Sequence, residues 1–199
     1  MYSAGVAKQA LCLKKIGIFG GTFDPIHHGH LILAREALEA LELETVIFIP
    51  AAASPHKLEQ KLTAPDVRLE MLRAAIEGEP GFGFDQIELR RPSPSYAVDT
   101  VETLRQRQPD AEFLYLIGED HVGRLATWQR FAELSKMVQF VVLARSGVKT
   151  EHPYRTIQRH LDISATSIRN RVVMGRSIQY LVPPAVERII RDRHLYMEP

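Results

Sequence analysis

The sequence predicts an α/β protein: a doubly wound, Rossmann-like parallel sheet of five or six strands in the order 3-2-1-4-5, with a small C-terminal helical segment. Three observations lead there. Apolar runs alternate with helix-period segments along most of the chain, which means parallel strands joined by right-handed crossovers. A glycine-rich turn follows the first apolar run, at the carboxyl edge where open parallel sheets bind ligands. Finally, 199 residues with 45% hydrophobic and 25% charged side chains suit one globular domain of this size.

The elements follow in order. Lys15–Gly20 (KIGIFG) reads as a buried strand. Leu31, Ala34, Leu38 and Leu41 form a helical stripe over 31–41, in a helix that begins near His28. Thr45–Pro50 (TVIFIP) is β-branched and aromatic and stops at proline, as a strand does. Thr63-Ala64-Pro65-Asp66 starts a helix that contains Val67, Leu69, Leu72 and Ile76. Residues 83–91 read as a third strand, more polar and nearer an edge. Ser95–Gln108 is a helix with Val98, Val101 and Leu104 on one face. Ala111–Ile117 is a strand, Trp128–Met137 a helix and Val138–Ala144 a fifth strand. Ser146–Tyr154 is a polar linker, and 164–174 and 184–193 are two terminal helices. Residues 1–15 are read as an N-terminal extension. Residues 16–199 are read as one domain, of which 155–199 is the helical part.

Composition excludes several classes. A single cysteine, Cys12, rules out an intramolecular disulfide and fits a reducing compartment. No apolar run reaches the roughly 18 residues of a membrane helix, and the weakly basic N-terminus lacks a signal-peptide core and cleavage site. A cytoplasmic protein with no membrane partner is expected. The net charge of +1 argues against a nucleic-acid binder, which would show a basic excess, but leaves room for a small phosphate-rich ligand. The charge is also uneven: residues 155–194 hold 8 basic and 3 acidic side chains. A triphosphate would suit that side of the molecule, around Arg169.

The most informative stretch is Gly20-Gly21-Thr22-Phe23-Asp24-Pro25-Ile26-His27-His28-Gly29-His30. Gly20 and Gly21 let a ligand approach the backbone, and the helix that follows offers free N–H groups and a positive dipole end to phosphate. His27 and His30 share one face of the first helical turn, where imidazoles can hydrogen-bond phosphate oxygens or carry positive charge toward a transition state. Three histidines in four residues also fit a metal site or a structural pair, although no acidic or thiol third ligand stands nearby in sequence. The turn is neither G-x-G-x-x-G nor a Walker loop.

This stretch resembles the (H/T)xGH signature of a nucleotidyltransferase superfamily, and its extended form is similar to that of nicotinate-mononucleotide adenylyltransferases. A second stretch, Ile163-Ser164-Ala165-Thr166-Ser167-Ile168-Arg169, resembles that family's ISxTxIR. Ser164 or Thr166 can cap a helix whose exposed N–H groups hold phosphate, and Arg169 can fork onto phosphate oxygens.

Further segments match. Lys57, in Pro55-His56-Lys57, reads as a mobile phosphate contact or a surface lysine. Ser95-Tyr96-Ala97-Val98-Asp99-Thr100 resembles SYTxxT, with Ala97 in place of the usual Thr. Ile117-Gly118-Glu119-Asp120 resembles IGxD, in which Gly118 permits close approach and Asp120 can accept from ribose hydroxyls. Trp128 matches a Trp that stacks on the pyridine ring in the family, and the next backbone N–H, that of Gln129, would help bind the nicotinate carboxylate. By itself Trp128 could equally belong to a hydrophobic cluster. The interval Arg145–Ile163 is shorter than the family's usual segment, which carries an extra strand. That departure bears on the sheet edge and on oligomer contacts there.

The resemblance, from about Ile16 to Tyr196, implies an enzyme of NAD biosynthesis that transfers the adenylyl group of ATP to nicotinate mononucleotide, giving deamido-NAD and pyrophosphate. It implies His27, His30 and Arg169 as catalytic residues. Gly20, Gly21, Thr22, Phe23, Lys57, Gly118, Asp120, Ser164 and Thr166 would bind ATP, and Tyr96, Ala97, Thr100, Trp128 and Gln129 the mononucleotide. No protein metal site is implied, because Mg²⁺ would be held mainly by phosphates. The rivals are a nicotinamide-mononucleotide or pantetheine-phosphate adenylyltransferase, a class I aminoacyl-tRNA synthetase, for which the chain lacks room, and a non-catalytic nucleotide-binding regulator. Homo-oligomerisation is left open.

Overall fold

A computed structural model of the protein describes residues 13–52, 62–92, 94–145 and 151–197. Within these stretches six parallel strands form one sheet in the order β3-β2-β1-β4-β5-β6. They are β1 (Lys14–Gly21), β2 (Thr45–Pro50), β3 (Phe82–Phe84), β4 (Ala111–Gly118), β5 (Gln139–Ala144) and β6 (Arg155–Gln158). The helices are α1 (His28–Ala40), α2 (Pro65–Ile76), α3 (Ala97–Arg107), α4 (Phe131–Met137), α5 (Ala165–Val173) and α6 (Pro184–Asp192).

The period-2 alternation of β-strands divides the core between the two faces of the sheet. Phe19, Phe48, Leu114 and Leu116 point to one face and pack with Leu33 and Ala37 of α1, Met71 and Leu72 of α2, Ile168 of α5 and Val186 and Ile190 of α6. Ile16, Ile18, Phe113 and Tyr115 point to the other and pack with Val98, Val101 and Leu104 of α3 and Leu134 of α4. Both faces are covered, which is why the central strands are near-continuous apolar runs.

The chain moves outward from β1 to β2 and β3, then crosses back so that β4 pairs with β1 on its other side, Phe19 opposite Leu116. The connections after β1 and β4 therefore diverge, and a crevice opens between their carboxyl ends.

Three elements differ from the sequence expectation. The third strand stops at Phe84, because the Asp85 carboxylate accepts the backbone N–H of Ile87 at 2.9 Å and turns the chain. A 3₁₀ helix spans Glu119–Thr127, so Trp128 lies in an extended linker and α4 begins only at Phe131. The short interval after the fifth strand does carry a strand: β6 pairs with β5 from Arg155 to Gln158. Only Ile157 of β6 is buried, so it leaves no alternation to read.

Candidate active site

A cavity of about 470 Å³ lies at the crevice. It straddles the carboxyl edge of the sheet, with one lobe over the face that carries α1 and α5 and the other over the face that carries α3 and α4. A larger open groove of about 860 Å³ runs along α2 and β3 between Leu69, Ile76, Phe82 and Phe84, and none of the motif residues reaches it.

The first lobe is built from both signatures. Gly20, Gly21 and Thr22 line it where β1 ends, with His27 and His30 behind them. His27 is the N-cap of α1, in extended conformation. Its ring stacks on that of His30 with centroids 3.7 Å apart and planes at 22°. The His30 Nδ1 accepts the His27 backbone N–H at 3.3 Å, which leaves Nε2 of a neutral ring as the donor. Phe23 packs edge-on against His30 at 5.1 Å and is itself 1% exposed. It braces the imidazole more than it offers surface to a ligand. Phe23 also holds a positive φ of 48°, a conformation that costs a bulky residue about 1–3 kcal/mol and tends to collect at functional turns. Gly29 has a packing reason, since a Cβ there would stand 3.0 Å from His27 Nδ1.

The imidazoles are uncharged in the ligand-free protein. Burial, followed by the positive charge of Arg145, pushes the His27 pKa down to about 3. Burial, His27 and Arg145 hold His30 well below its ordinary value. In the resting state the pair therefore faces the cavity as neutral rings. Among the described residues His27 Nδ1 is buried without a hydrogen-bond partner, a costly condition that a ligand donor or a ring proton facing an anion would relieve.

Arg145 was not found from sequence. It lines the cavity just past β5, and its guanidinium donates to the Ile163 carbonyl at 3.0 Å, which ties that strand end to the second signature. Ser164 caps α5 by accepting the Ser167 N–H at 3.1 Å, and Ala165, Thr166 and Arg169 line the cavity beside it. The Arg169 guanidinium donates to the Asp24 carbonyl at 2.7 Å and to Thr166 Oγ1 at 3.3 Å. At the start of α1 the His28 N–H is already taken by the Leu181 carbonyl at 3.0 Å, so that helix offers fewer free donors than expected. Lys57 lies outside the described residues.

Of the eight basic residues in 155–194, only Arg169 lines the cavity. Arg159 and Arg193 pair with Glu36 and Glu70, while Arg155 and Arg171 donate to the Ala40 and Ser177 carbonyls. The basic excess of the segment is mostly a solvated surface.

The second lobe is aromatic and carries one carboxyl group. Tyr96, Ala97, Trp128 and Gln129 line it. Trp128 meets Tyr115 edge-on at 5.7 Å, and its Nε1 is buried without a partner among the described residues. Gly118 and Asp120 stand where the lobes meet, and a Cβ at 118 would come within 2.5 Å of Asp120 Oδ1. Arg130 anchors the Trp128 linker by pairing with Glu102 of α3 and Glu133 of α4, each at 2.6 Å. Thr100 differs from expectation. It is fully buried, and its hydroxyl donates to Glu88 Oε1 at 3.0 Å, so it stands behind the lobe. Glu88, unforeseen from sequence, lines the lobe. Burial pushes its carboxyl pKa up, against the Thr100 hydrogen bond and the Arg91 charge.

A buried arginine holds the walls. Arg68 of α2 is fully enclosed and donates to the carbonyls of Thr63, Thr22 and Ala52 at 3.0, 2.6 and 3.3 Å. One side chain thereby joins the ends of β1 and β2 to the start of α2.

Comparison with known proteins agrees with this geometry. Residues 18–171 match the cytidylyltransferase-like family. A probable nicotinate-nucleotide adenylyltransferase of Geobacillus thermodenitrificans is 45% identical over 187 residues, spanning 92% of this chain and 87% of that one. The chain belongs to the nicotinate-nucleotide adenylyltransferase family. Another member, from Bacillus subtilis, is 38% identical over 92% of this chain and 99% of its own length. Among solved structures, a Plasmodium falciparum nicotinic acid mononucleotide adenylyltransferase complexed with NaAD superposes with a TM-score of 0.78 at 19% identity, covering 92% of this chain and 98% of that one. At that identity the likeness speaks for the fold.

Among the described residues no helix is long and apolar enough to cross a membrane, and no group of three or more His, Cys, Asp or Glu side chains could hold a metal ion.

Proposed function

We propose that this chain transfers the adenylyl group of ATP to nicotinate mononucleotide, forming deamido-NAD and pyrophosphate. The observation that carries the proposal is the convergence of two distant signatures on one cavity: the stacked His27–His30 pair and Arg169 in one lobe, with Trp128 and Tyr96 in the other. The relatives named above add family membership.

The 5′-phosphate of the mononucleotide attacks the α-phosphorus of ATP in line. A P–O bond forms to that phosphate, the bond to the β-phosphate oxygen breaks, and pyrophosphate carries away the electron pair. The nucleophile is already an anion, so no general base is required. Catalysis is positioning and charge stabilisation. His30 donates toward the α-phosphate and His27 steadies the triphosphate. Arg145 and Arg169 neutralise it from the β5 and α5 sides, and the Ser164-capped start of α5 adds backbone donors. Gly20, Gly21 and Thr22 let the phosphates lie against the backbone, and Asp120 accepts from ribose hydroxyls. Trp128 packs on the pyridine ring, while the Ala97 and Gln129 backbones receive its carboxylate. ATP arrives as its magnesium complex, with the ion held mainly by phosphate oxygens.

The deciding experiment measures pyrophosphate release with ATP and each mononucleotide. Turnover with nicotinate mononucleotide far above that with nicotinamide mononucleotide is expected. A folded sample that binds ATP yet turns over neither would favour a nucleotide-binding regulator.

A further inference from the structure

Asp24 is a buried carboxylate, 3% exposed, that the proposed chemistry leaves unused, since no proton needs a base. Each of its acceptor groups is nevertheless engaged, and each by a different part of the chain. Oδ2 accepts the Thr63 N–H at 3.0 Å, just before α2. The backbone carbonyl accepts the Arg169 guanidinium of α5 at 2.7 Å. Oδ1 accepts the phenolic hydroxyl of Tyr196 at 2.5 Å, from beyond α6.

Tyr196 is held firmly enough to act on Asp24. It packs, with Leu195, against the core under α1 and α2. It adopts a positive φ of 59°, and His194 one of 49°, a strain that bulky residues tolerate only where surrounding contacts fix them. Arg193 clamps the same turn to Glu70 of α2 at 2.7 Å. Burial, together with the neighbouring Asp24 charge, pushes the Tyr196 phenol above its ordinary pKa, so the hydroxyl stays a donor across the working pH range.

We propose that Tyr196 is a positioning residue for nucleotide binding: its hydroxyl fixes Asp24, whose carbonyl in turn sets the direction of the Arg169 guanidinium toward the triphosphate lobe. The proposal rests on the reading of Arg169 as a triphosphate contact. Its bonds to the Asp24 carbonyl and Thr166 hydroxyl leave three of the five guanidinium N–H donors for a ligand. A guanidinium serves a phosphate only when its fork is aimed. Releasing Asp24 would remove that aim and leave the second lobe untouched, because nothing in the Tyr196 contacts reaches Trp128 or Tyr96.

The test compares the full-length wild type, Tyr196→Phe, Arg169→Gln and the double variant. It uses steady-state kinetics for each substrate and calorimetric binding of a non-hydrolysable ATP analogue. Tyr196→Phe is expected to raise the KM for ATP and the analogue Kd about ten-fold, the effect of one hydrogen bond to a charged group, with the mononucleotide KM within two-fold. In the Arg169→Gln background the same substitution should add less than two-fold, because the two act through one contact. Asp24→Asn offers one carbonyl oxygen to two donors, the Tyr196 hydroxyl and the Thr63 N–H, so it should lose at least as much ATP affinity as Tyr196→Phe. The inference is overturned if Tyr196→Phe lowers only thermal stability, if both KM values rise together, or if its effect multiplies that of Arg169→Gln. Should the wild type turn over neither mononucleotide, the proposed reaction fails while analogue binding still reads this contact.

Discussion

At the scale of single residues, His27 and His30 are neutral imidazoles poised beside an anion site. A polyphosphate beside them raises their pKa, so the complex binds more protons than the free protein and affinity rises as pH falls toward the resting values. From a resting His27 value of about 3, that uptake falls on the acid side, and we expect the histidine pair to strengthen ATP-analogue binding below about pH 6, as a rise that His27→Gln loses. An identical pH dependence in wild type and His27→Gln would contradict this account. The same groups set an acid limit on stability. The folded His27 pKa is about 3 against an unfolded value near 6.5. Its stabilising contribution is therefore complete above about pH 6.5 and is lost as pH falls toward 3. Thermal denaturation of ligand-free protein should show that loss, and His27→Gln should show less of it. His30→Ala should cut kcat by about 10²–10³-fold, the usual cost of one transition-state donor, with the circular dichroism spectrum unchanged. The histidine pair and Arg169 are legible in the sequence because helical spacing and a known signature mark them. Arg145 and Glu88 are not. Arg145 sits just past a strand-like run and Glu88 inside one that the chain cuts short, and only the topology brings them to the cavity.

At the scale of elements, the walls of the cavity depend on side chains that bridge them. Arg68 is the principal case, a buried cation satisfied by three backbone carbonyls with Asp24 near enough to favour its charge. Arg68→Met would leave three acceptors unpaired and the Asp24 charge uncompensated. It should cost about 3–5 kcal/mol, as loss of one partner from a buried ionic site usually does. Denaturant midpoints will measure it, and a loss under 1 kcal/mol would show that the loops hold themselves. Arg68 escapes notice in the sequence because it falls within the apolar pattern of α2, between Val67 and Leu69. The long periodic elements were readable, with β2 matching residue for residue. The failures share a cause: β3, β6 and the 3₁₀ helix are short or half-exposed, and side-chain bonds or strand pairing, more than periodicity, decide their extent. Trp128 illustrates the consequence. Its place in the second lobe depends on a linker set by the Arg130 ion pairs, not on a helix.

At the scale of the whole molecule, the cavity draws its lining from β1 through α5, while α6 and Tyr196 tie the chain end back to the first turn. The C-terminal part is therefore fastened to the sheet by the same residues that build the site. Residues 16–199 should then unfold as one unit, and ligands should stabilise all of it together. A ligand at one hundred times its Kd adds about 2.7 kcal/mol to the stability of the state it binds. For a domain of this size each kcal/mol moves Tm by roughly 2–4 °C. Saturating dinucleotide product should thus raise Tm by about 5–10 °C in a single calorimetric transition. Two transitions, only one of them moved, would mean that residues 155–199 fold apart from the sheet and that the site is assembled by docking. Tyr196→Phe sharpens the distinction. It removes one fastening without touching the second lobe, so a two-unit protein would show it as a split in the transition. A one-unit protein would show only a lower Tm.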